Sequence, residues 1–318
     1  MAFFISNVLT EDQCEQVTIL HTVCTEYAAQ KNGISTDPKP EPSVLSLVLP
    51  DPGTEENDVF YALYYIEETL ISFLSVFCPD GKTAEISGFT HPDHRHHGYF
   101  SALLNEAGKE ASRRFGPVGF LYQCLSGDPD TDKFCRSHGL IHSHSECMMG
   151  MKIQKSTPDL SDGPLSFSVS LVQAGEKERE TMLLLHMKAF RVSLEFTEPY
   201  IDSILDDRET VSFLIRSKEG KNVGLLHLTT EETGRIAYFM GLGILPKYRR
   251  KGYGKSALMT LMGLLPEGCT LLLQVSTSNS AAYELYKGLG FYVESKLDYF
   301  VSAPSAVLNV SSDESEEE

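Results

Sequence analysis

The chain has 318 residues, of which 27 are basic and 44 acidic, so its formal net charge is −17. This charge argues against a general nucleic-acid or anionic-membrane binder, and it is compatible with a cationic amine as a partner. Seven cysteines with no Cys-x-x-Cys pair suit a reducing compartment. Residues 1–8 are too short for a signal peptide and no apolar run reaches membrane-spanning length, so we expect a cytoplasmic protein.

The N-terminal half shows a strand–turn–strand–loop–helix order. Residues 70–77 predict a strand, a Pro-Asp-Gly-Lys turn follows at 79–82, and a second strand comes after it. The loop at 91–100, with the sequence His-Pro-Asp-His-Arg-His-His-Gly-Tyr-Phe, leads into a predicted helix at 101–113. Residues 120–124 predict another strand. The histidines that crowd this half match no reliable zinc-ligand spacing, so we predict no metal site.

The C-terminal half repeats this order with a stronger loop motif. An apolar strand at Ile236–Ile244 precedes the sequence Leu-Pro-Lys-Tyr-Arg-Arg-Lys-Gly-Tyr-Gly-Lys-Ser at 245–256, and an apolar helix follows. The glycines at 252 and 254 allow successive backbone N–H groups to converge on one point, and the helix start adds positive charge. We therefore predict that this loop binds phosphate. Its Arg-x-x-Gly-x-Gly spacing fits neither an NTPase loop nor a dinucleotide-binding fingerprint.

A second motif follows about thirty residues later in the chain. Residues 270–275 predict a short buried strand, and Asn279 can cap the helix predicted at 281–288. A glycine ends this helix, and Phe291 begins the next strand. The helix carries Tyr286, which as an isolated feature fits a packed aromatic side chain. The two motifs together carry more information than either alone.

In this order and at this spacing, the two motifs resemble the acyl-CoA-binding core of the GNAT superfamily, the GCN5-related N-acetyltransferases. The resemblance implies a mixed α/β fold of the α+β kind, in which a mostly antiparallel sheet is flanked by helices and splays at the cofactor strand. It also implies an N-acetyltransferase that uses acetyl-CoA as co-substrate and a primary amine as the attacking group.

The same resemblance assigns roles to individual residues. Tyr286 would protonate the departing thiolate, as a general acid does, and Asn279 would hydrogen-bond the cofactor. Backbone at the end of the strand would contact the pantetheine arm, and the loop would hold the pyrophosphate. The residues implied in these two segments are Leu242, Ile244, Arg249, Arg250, Lys251, Gly252, Tyr253, Gly254, Lys255 and Ser256.

The general base has no clear candidate. Histone-type family members use a strand glutamate, and Tyr238 stands at that position here. A tyrosine pKa of about 10 makes it a poor base, although it is a candidate for orienting a water. Glu195 and Glu198 lie between the first two helices of this half, where GNAT substrates usually enter. Solvated surface carboxylates explain them better than a catalytic role does, so the base stays unassigned.

The N-terminal half resembles a degenerate copy of the same core. Arg95 and Gly98 align with the first arginine and the first glycine of the C-terminal loop, but Phe100 replaces its second glycine. Further on, Asp128 takes the place of the capping asparagine and Cys135 that of the tyrosine acid. A thiol is no evident substitute for that acid. We therefore expect this copy to bind acyl-CoA weakly, or to serve only as a scaffold.

The sequence thus predicts two tandem GNAT folds. The N-terminal domain is expected at 1–152, a linker at 153–164, the catalytic domain at 165–303 and a disordered acidic tail at 304–318. Two alternatives stay open. One is a non-catalytic acyl-CoA sensor, which needs the loop but not Tyr286. The other is a structural protein with two vestigial copies. The identity of the amine acceptor is also open.

Overall fold

The structure is a computed structural model that describes residues 2–31, 53, 57–79, 81–154, 169–231 and 233–302. The predicted tail at 304–318 and the predicted linker beyond residue 154 lie outside the described residues. The chain divides into two compact units. Unit 1 comprises Met1–Ser145 with Leu297–Glu318, and unit 2 comprises Glu146–Lys296. Two long strands each begin in one unit and end in the other, and the domain boundaries expected from the sequence stay a prediction.

Unit 1 contains a mostly antiparallel sheet with helices packed on both faces. Its elements are β1 (Ala2–Ser6), α1 (Glu11–Lys31), β2 (Val59–Ile66), β3 (Thr69–Phe77), β4 (Thr83–Thr90), α2 (Tyr99–Phe115), β5 (Gly119–Leu125), α3 (Pro129–Ser137), the start of β6 (Leu140–Lys152) and the end of β12 (Tyr292–Ser302). The paired strands run in the order β1-β2-β3-β4-β5-β12, and only β4 and β5 are parallel. Because side chains alternate along β2, Phe60 packs with α2 and Tyr61 packs with α1.

Unit 2 has the same architecture. Its elements are the end of β6, β7 (Val169–Ala174), α4 (Arg179–Phe190), α5 (Leu194–Asp206), β8 (Thr210–Ser217), β9 (Asn222–Thr230), β10 (Ile236–Ile244), α6 (Tyr253–Leu264), β11 (Thr270–Ser276), α7 (Ser280–Gly288) and the start of β12. The strand order is β7-β8-β9-β10-β11-β6, and only β10 and β11 are parallel. Leu225 on β9 packs with α4 and α5, whereas Leu226 packs with α6 on the opposite face.

The parallel pair in unit 2 stays together for only three residues. Ile236–Tyr238 of β10 pairs with Thr270–Leu272 of β11. Beyond this point β10 pairs only with β9, and β11 pairs with β6 as far as Ser276. We call the opening between the two strands the β10–β11 gap. The mixed fold with a mostly antiparallel sheet that splays at this strand is therefore confirmed.

A bulge in β10 lies beside this gap. The pairing of β10 with β9 shifts register between Met240 and Gly243, and Gly241 within the bulge has a φ of +62°. A methyl group at Gly241 would lie 2.6 Å from Cδ2 of His227, so both the backbone and the space there require glycine. The bulge turns the last residues of β10 out of the regular ladder, next to the gap.

Among the described residues, no helix is both long enough and apolar enough to cross a membrane.

Candidate functional site

The loop after β10 presents backbone N–H groups at the mouth of the β10–β11 gap. A short 3-10 turn at Pro246–Tyr248 leads to Arg250, whose φ is +57°, and then to Gly252, whose φ is +83°. Gly252 is the N-cap of α6, and no side chain caps this helix end. The first N–H groups of a helix have no partner inside the helix and carry its positive end. The loop therefore offers an anion site made of backbone.

The side chain of Arg249 is used within unit 2. Its Nε donates a 2.9 Å hydrogen bond to the carbonyl oxygen of Ile244 at the end of β10. Its Nη2 donates to the carbonyl oxygen of Ala189 near the end of α4. Arg249 was expected to add positive charge for a phosphate, and in this structure it joins the loop to β10 and α4. Its observed role is to hold the loop in position.

The other predicted loop residues divide by exposure. The basic side chains of Arg250, Lys251 and Lys255 are exposed and can contribute charge toward a bound anion. Tyr253 and Ser256, in contrast, are buried on the inner face of α6. These two residues can contribute only backbone groups to a ligand at the helix start. The prediction that Tyr253 and Ser256 bind the cofactor therefore concerns their backbone groups and not their side chains.

Asn279 and Tyr286 lie at opposite ends of α7. The Asn279 side-chain oxygen accepts a 3.3 Å hydrogen bond from the backbone N–H of Ala282, so it caps the helix. Tyr286 is only 7% exposed and packs edge-on against Phe239 and Phe291, with ring centroids 5.6 and 6.0 Å apart. Burial raises the pKa of Tyr286 to about 12, so its hydroxyl is protonated at neutral pH. This state suits an acid, and the packing equally suits a core aromatic residue.

A cluster that the sequence did not single out lies on the face of β9 and β10 that α4 and α5 cover, opposite to the core that contains Tyr286. His227 on β9 is fully buried, and its Nδ1 lies 2.8 Å from Oγ of Ser212 on β8. Its ring lies 5.8 Å from that of Tyr200 on α5, which in turn lies 4.8 Å from the ring of His186 on α4. Burial and, to a smaller extent, the nearby His186 lower the pKa of His227 to about 4. His227 is therefore neutral at pH 7. The one available sequence signal was a histidine between two leucines in the apolar part of β9.

Tyr238 faces the same side of the sheet as this cluster. Its neighbours Ala237 and Phe239 belong to the core on the α6 face, so alternation directs Tyr238 toward the α4 and α5 side. The two carboxylates considered as candidates for the base, Glu195 and Glu198, lie away from this cluster in the contacts that the structure describes. Glu195 is exposed on α5, and Glu198 lies 4.0 Å from the guanidinium of Arg179. The structure does not bring either carboxylate into contact with the cluster or the loop among the contacts it describes.

The loop in unit 1 has nearly the same backbone as the loop in unit 2. His96 and Gly98 have φ angles of +64° and +81°, which match the two left-handed residues of the other loop. Arg95 Nε donates to the Thr90 carbonyl oxygen at 3.2 Å, as Arg249 Nε does to the end of its own strand. The internal repeat predicted from the sequence is thus present in three dimensions, at the level of single hydrogen bonds.

The anion-binding capacity of the unit 1 loop is already used by carboxylates. Arg95 Nη1 lies 3.0 Å from Asp130 Oδ2 and 3.9 Å from Asp128 Oδ2. His96 Nε2 lies 3.4 Å from the other oxygen of Asp130. A pyrophosphate at this loop would meet two carboxylates at close range, and like charges repel each other. When the capping residues Asp128 and Asn279 are aligned, the position of unit 2 that corresponds to Asp130 is Ala281, which carries no charge.

Aromatic side chains occupy the corresponding space in unit 1. Phe100 lies so close to β4 that a methyl group on Gly88 would be 2.9 Å from its ring, and it packs edge-on against Phe134 of α3. Cys135, at the position of the tyrosine acid, is buried with its sulfur 3.8 Å from that of Cys124. Burial raises the pKa of the Cys135 thiol. These features distinguish the unit 1 loop from the loop of unit 2, and weak acyl-CoA binding by unit 1 stays a prediction.

Comparison with known proteins finds a family similarity within unit 2. Residues 179–291 match the model described as "Acetyltransferase (GNAT) family". This segment runs from α4 to the residue before β12 and includes the loop, the β10–β11 gap and α7. A search of curated protein sequences found no match.

Solved structures extend the similarity to nearly the whole chain. A GCN5-related N-acetyltransferase from Sphaerobacter thermophilus is 14% identical with a TM-score of 0.71, covering 94% of this chain and 95% of that one. A tandem GNAT protein from the clavulanic acid biosynthesis pathway, solved without AcCoA, is 17% identical with a TM-score of 0.67, covering 96% and 100%. A glucosamine N-acetyltransferase region of a fungal multi-domain GH3 β-N-acetylglucosaminidase is 13% identical with a TM-score of 0.65, covering 94% and 38%. At these identities the similarity shows the tandem GNAT fold.

Proposed function

Because residues 179–291 carry a domain of the GNAT acetyltransferase family and the whole chain has the tandem GNAT fold, we propose that this protein is an acetyl-CoA-dependent N-acetyltransferase with its site in unit 2. The observation that carries the proposal is the β10–β11 gap with the uncapped start of α6 at its mouth. A strand that leaves its parallel neighbour exposes backbone groups, and a pantetheine arm can pair with them as an added strand would.

The residues of unit 2 fit this ligand at both ends of the gap. The backbone N–H groups at the start of α6, with Arg250, Lys251 and Lys255 around them, form the site for the pyrophosphate. The backbone of Leu242 and Ile244, beyond the bulge, pairs with the pantetheine and holds the carbonyl oxygen of the thioester.

The chemistry then needs an acid for the leaving group and an acceptor for the proton of the amine. Tyr286 is protonated at neutral pH and gives its proton to the departing thiolate. Asn279 fixes the start of α7, the helix that carries Tyr286. Tyr238 points to the face on which the amine approaches, where it orients the acceptor or a water. The amine nitrogen forms its bond to the acyl carbon while the carbon–sulfur bond breaks.

The acceptor is proposed only as a primary amine. The net charge of −17 favours a cationic one. All seven cysteines are free thiols, which supports a reducing, cytoplasmic location.

A second function has one observation in its favour. The packing of Tyr286 among Phe239 and Phe291 is what an acyl-CoA-binding sensor would show, because a sensor needs no acid. An acetyltransferase releases CoA and an acetylated amine, whereas a sensor binds acyl-CoA and forms no product.

The test is an acetyl-transfer assay. Purified protein is mixed with acetyl-CoA and a panel of primary amines, namely spermidine, tyramine, glucosamine and a peptide with a free N-terminus. CoA release and the mass of the acetylated amine are both measured. The proposal expects an acetylated product from at least one amine and loss of that activity in Gly252→Asp. Acetyl-CoA binding without any product would support the sensor instead.

A further inference from the structure

One side-chain nitrogen in unit 2 is buried and lacks a hydrogen-bond partner among the described residues. It lies on the face of the sheet that α4 and α5 cover. His227 is 0% exposed, and its Nε2 has no partner among the described residues. The opposite ring nitrogen, Nδ1, is held by the hydroxyl of Ser212 at 2.8 Å. A buried polar atom that loses water without gaining a partner costs about 1–3 kcal/mol. Such an atom in a core calls for a reason beyond packing.

The unpartnered nitrogen borders the bulge of the proposed cofactor strand. A methyl group built on Gly241 would lie 3.3 Å from His227 Nε2 and 2.9 Å from the hydroxyl of Tyr200. Both polar atoms therefore border the same side of Gly241. This side faces α4 and α5, away from α6, which carries the cofactor loop. Because the cofactor loop of the proposed function lies on the α6 side, the proposal takes this opposite side as the one from which the amine approaches.

We propose that His227, reached through the hydroxyl of Tyr200 or a single water beside Gly241, accepts the proton that the attacking amine loses. The inference rests on the proposed function, because it supplies the base that the reaction there requires. As the nitrogen–carbon bond forms, the amine proton passes to Nε2. The carbon–sulfur bond breaks, the thiolate takes its proton from Tyr286, and Tyr286 regains a proton from solvent once CoA has left. His227 returns the accepted proton to solvent after the product leaves.

The surroundings of His227 keep its ring neutral at pH 7. The titratable groups on its face of the sheet are His186 on α4, Tyr200 on α5 and Tyr238 on β10, and none of them is a carboxylate. Burial and His186 hold the pKa of His227 at about 4 in the folded protein, so the ring is neutral with one nitrogen able to accept a proton. Ser212 selects the orientation of the ring by binding Nδ1.

The test compares His227→Gln with the control variant His21→Gln. His21 is a histidine of unit 1 whose pKa is also lowered by burial, and its ring packs against that of Phe89 at 5.3 Å, so it has no part in the site of unit 2. Acetyl-CoA affinity is measured by calorimetry, and acetyl transfer to the best amine of the panel is measured in single turnovers from pH 5 to 9. We expect His227→Gln to bind acetyl-CoA normally and to transfer at least about 100-fold more slowly. We expect His21→Gln to stay within about threefold of wild type in this general-base test.

A second variant separates chemistry from folding. His227→Ala leaves a space the size of an imidazole, and added imidazole is expected to restore transfer by about tenfold or more if the lost group is a base. Wild-type rates with His227→Gln, or a slow variant that also loses acetyl-CoA affinity and gains nothing from imidazole, would overturn the inference while leaving the proposed function intact. A wild-type protein that acetylates no amine would remove the proposed function, and this inference with it.

Discussion

The buried His227 makes a measurable contribution to the pH dependence of stability. In the folded protein its pKa is lowered to about 4, while in the unfolded chain a histidine titrates near its ordinary value of 6.5. The unfolded state therefore binds more protons than the folded state below pH 6.5. The stabilising contribution is present above pH 6.5 and is lost as the pH falls toward 4. Replacing His227 with glutamine, which does not titrate, removes this dependence.

The size of the effect follows from the two pKa values. At full protonation the difference corresponds to about 3 kcal/mol, at about 1.4 kcal/mol for each pH unit between them. Between pH 7 and pH 5 the expected share is about 2 kcal/mol. This window is useful because it lies above the ordinary pKa of carboxylates. His21 and His186, whose pKa values are also lowered by burial, are present in both proteins and cancel in the comparison.

The assay is urea unfolding at pH 7 and pH 5, followed by circular dichroism. Wild type is expected to lose about 2 kcal/mol more stability than His227→Gln on this acidification. The slope of the unfolding free energy against urea concentration must be the same for both proteins at each pH. The comparison then reports a difference in stability alone. Equal losses in the two proteins would show that His227 is accessible and titrates normally. That result would refute the buried, neutral imidazole on which the account of this face depends.

Three further predictions concern the site in unit 2. Tyr286→Phe should keep acetyl-CoA affinity and lower the single-turnover rate by at least about tenfold, and an unchanged rate would remove the tyrosine from the chemistry. Gly241→Ala should destabilise the protein by at least about 1 kcal/mol more than Gly234→Ala in urea unfolding. Both glycines have a positive φ, but a methyl group clashes only at Gly241, so equal losses would contradict the packing at the bulge. Arg249→Gln should lower the unfolding free energy by about 1 kcal/mol and weaken acetyl-CoA binding, because it frees the loop from two carbonyl oxygens. Weaker binding with unchanged stability would instead indicate direct contact with the phosphate.

The overall fold was predictable from local patterns. The apolar strand before the loop, the glycine at 252 and the capping Asn279 each form the element that their sequence indicates. The duplicated loop could be aligned because both copies keep an arginine followed three residues later by a glycine, at Arg95 and Gly98 in unit 1. In each case a short stretch of chain contains both the signal and the structure that it specifies.

The features that were not predicted depend on contacts between distant segments. Arg249 binds Ala189, sixty residues away in the chain, and no local pattern announces that contact. His227 acquires its neighbours from the pairing of β9 with β10 and from the packing of α5. A sequence alone shows the residue types at these positions, but not their partners.

Unit 1 shows both a feature that could be predicted from the sequence and a contact that could not. The sequence showed that Phe100 replaces a glycine and that Cys135 replaces the tyrosine, and so indicated a degenerate copy. It did not show that Asp130 forms an ion pair with Arg95 at 3.0 Å and so takes the place of a bound anion. That contact joins α3 to the loop before α2.

The central claim is that acetyl-CoA binds to unit 2 and not to unit 1, and calorimetry with two matched variants tests it most directly. Gly252 and Gly98 have φ angles of +83° and +81°, each caps a helix in its loop, and neither has an atom within 4 Å of an added methyl group. Aspartate at either position therefore introduces the same strain. A carboxylate about 5 Å from one phosphate charge costs about 3 kcal/mol at an effective dielectric constant of about 20, or roughly 100-fold in affinity.

We predict that wild type binds one acetyl-CoA per chain, that Gly98→Asp binds it equally well, and that Gly252→Asp loses at least about 100-fold in affinity. Loss of binding in Gly98→Asp with retention in Gly252→Asp would place the site in unit 1 and contradict the account.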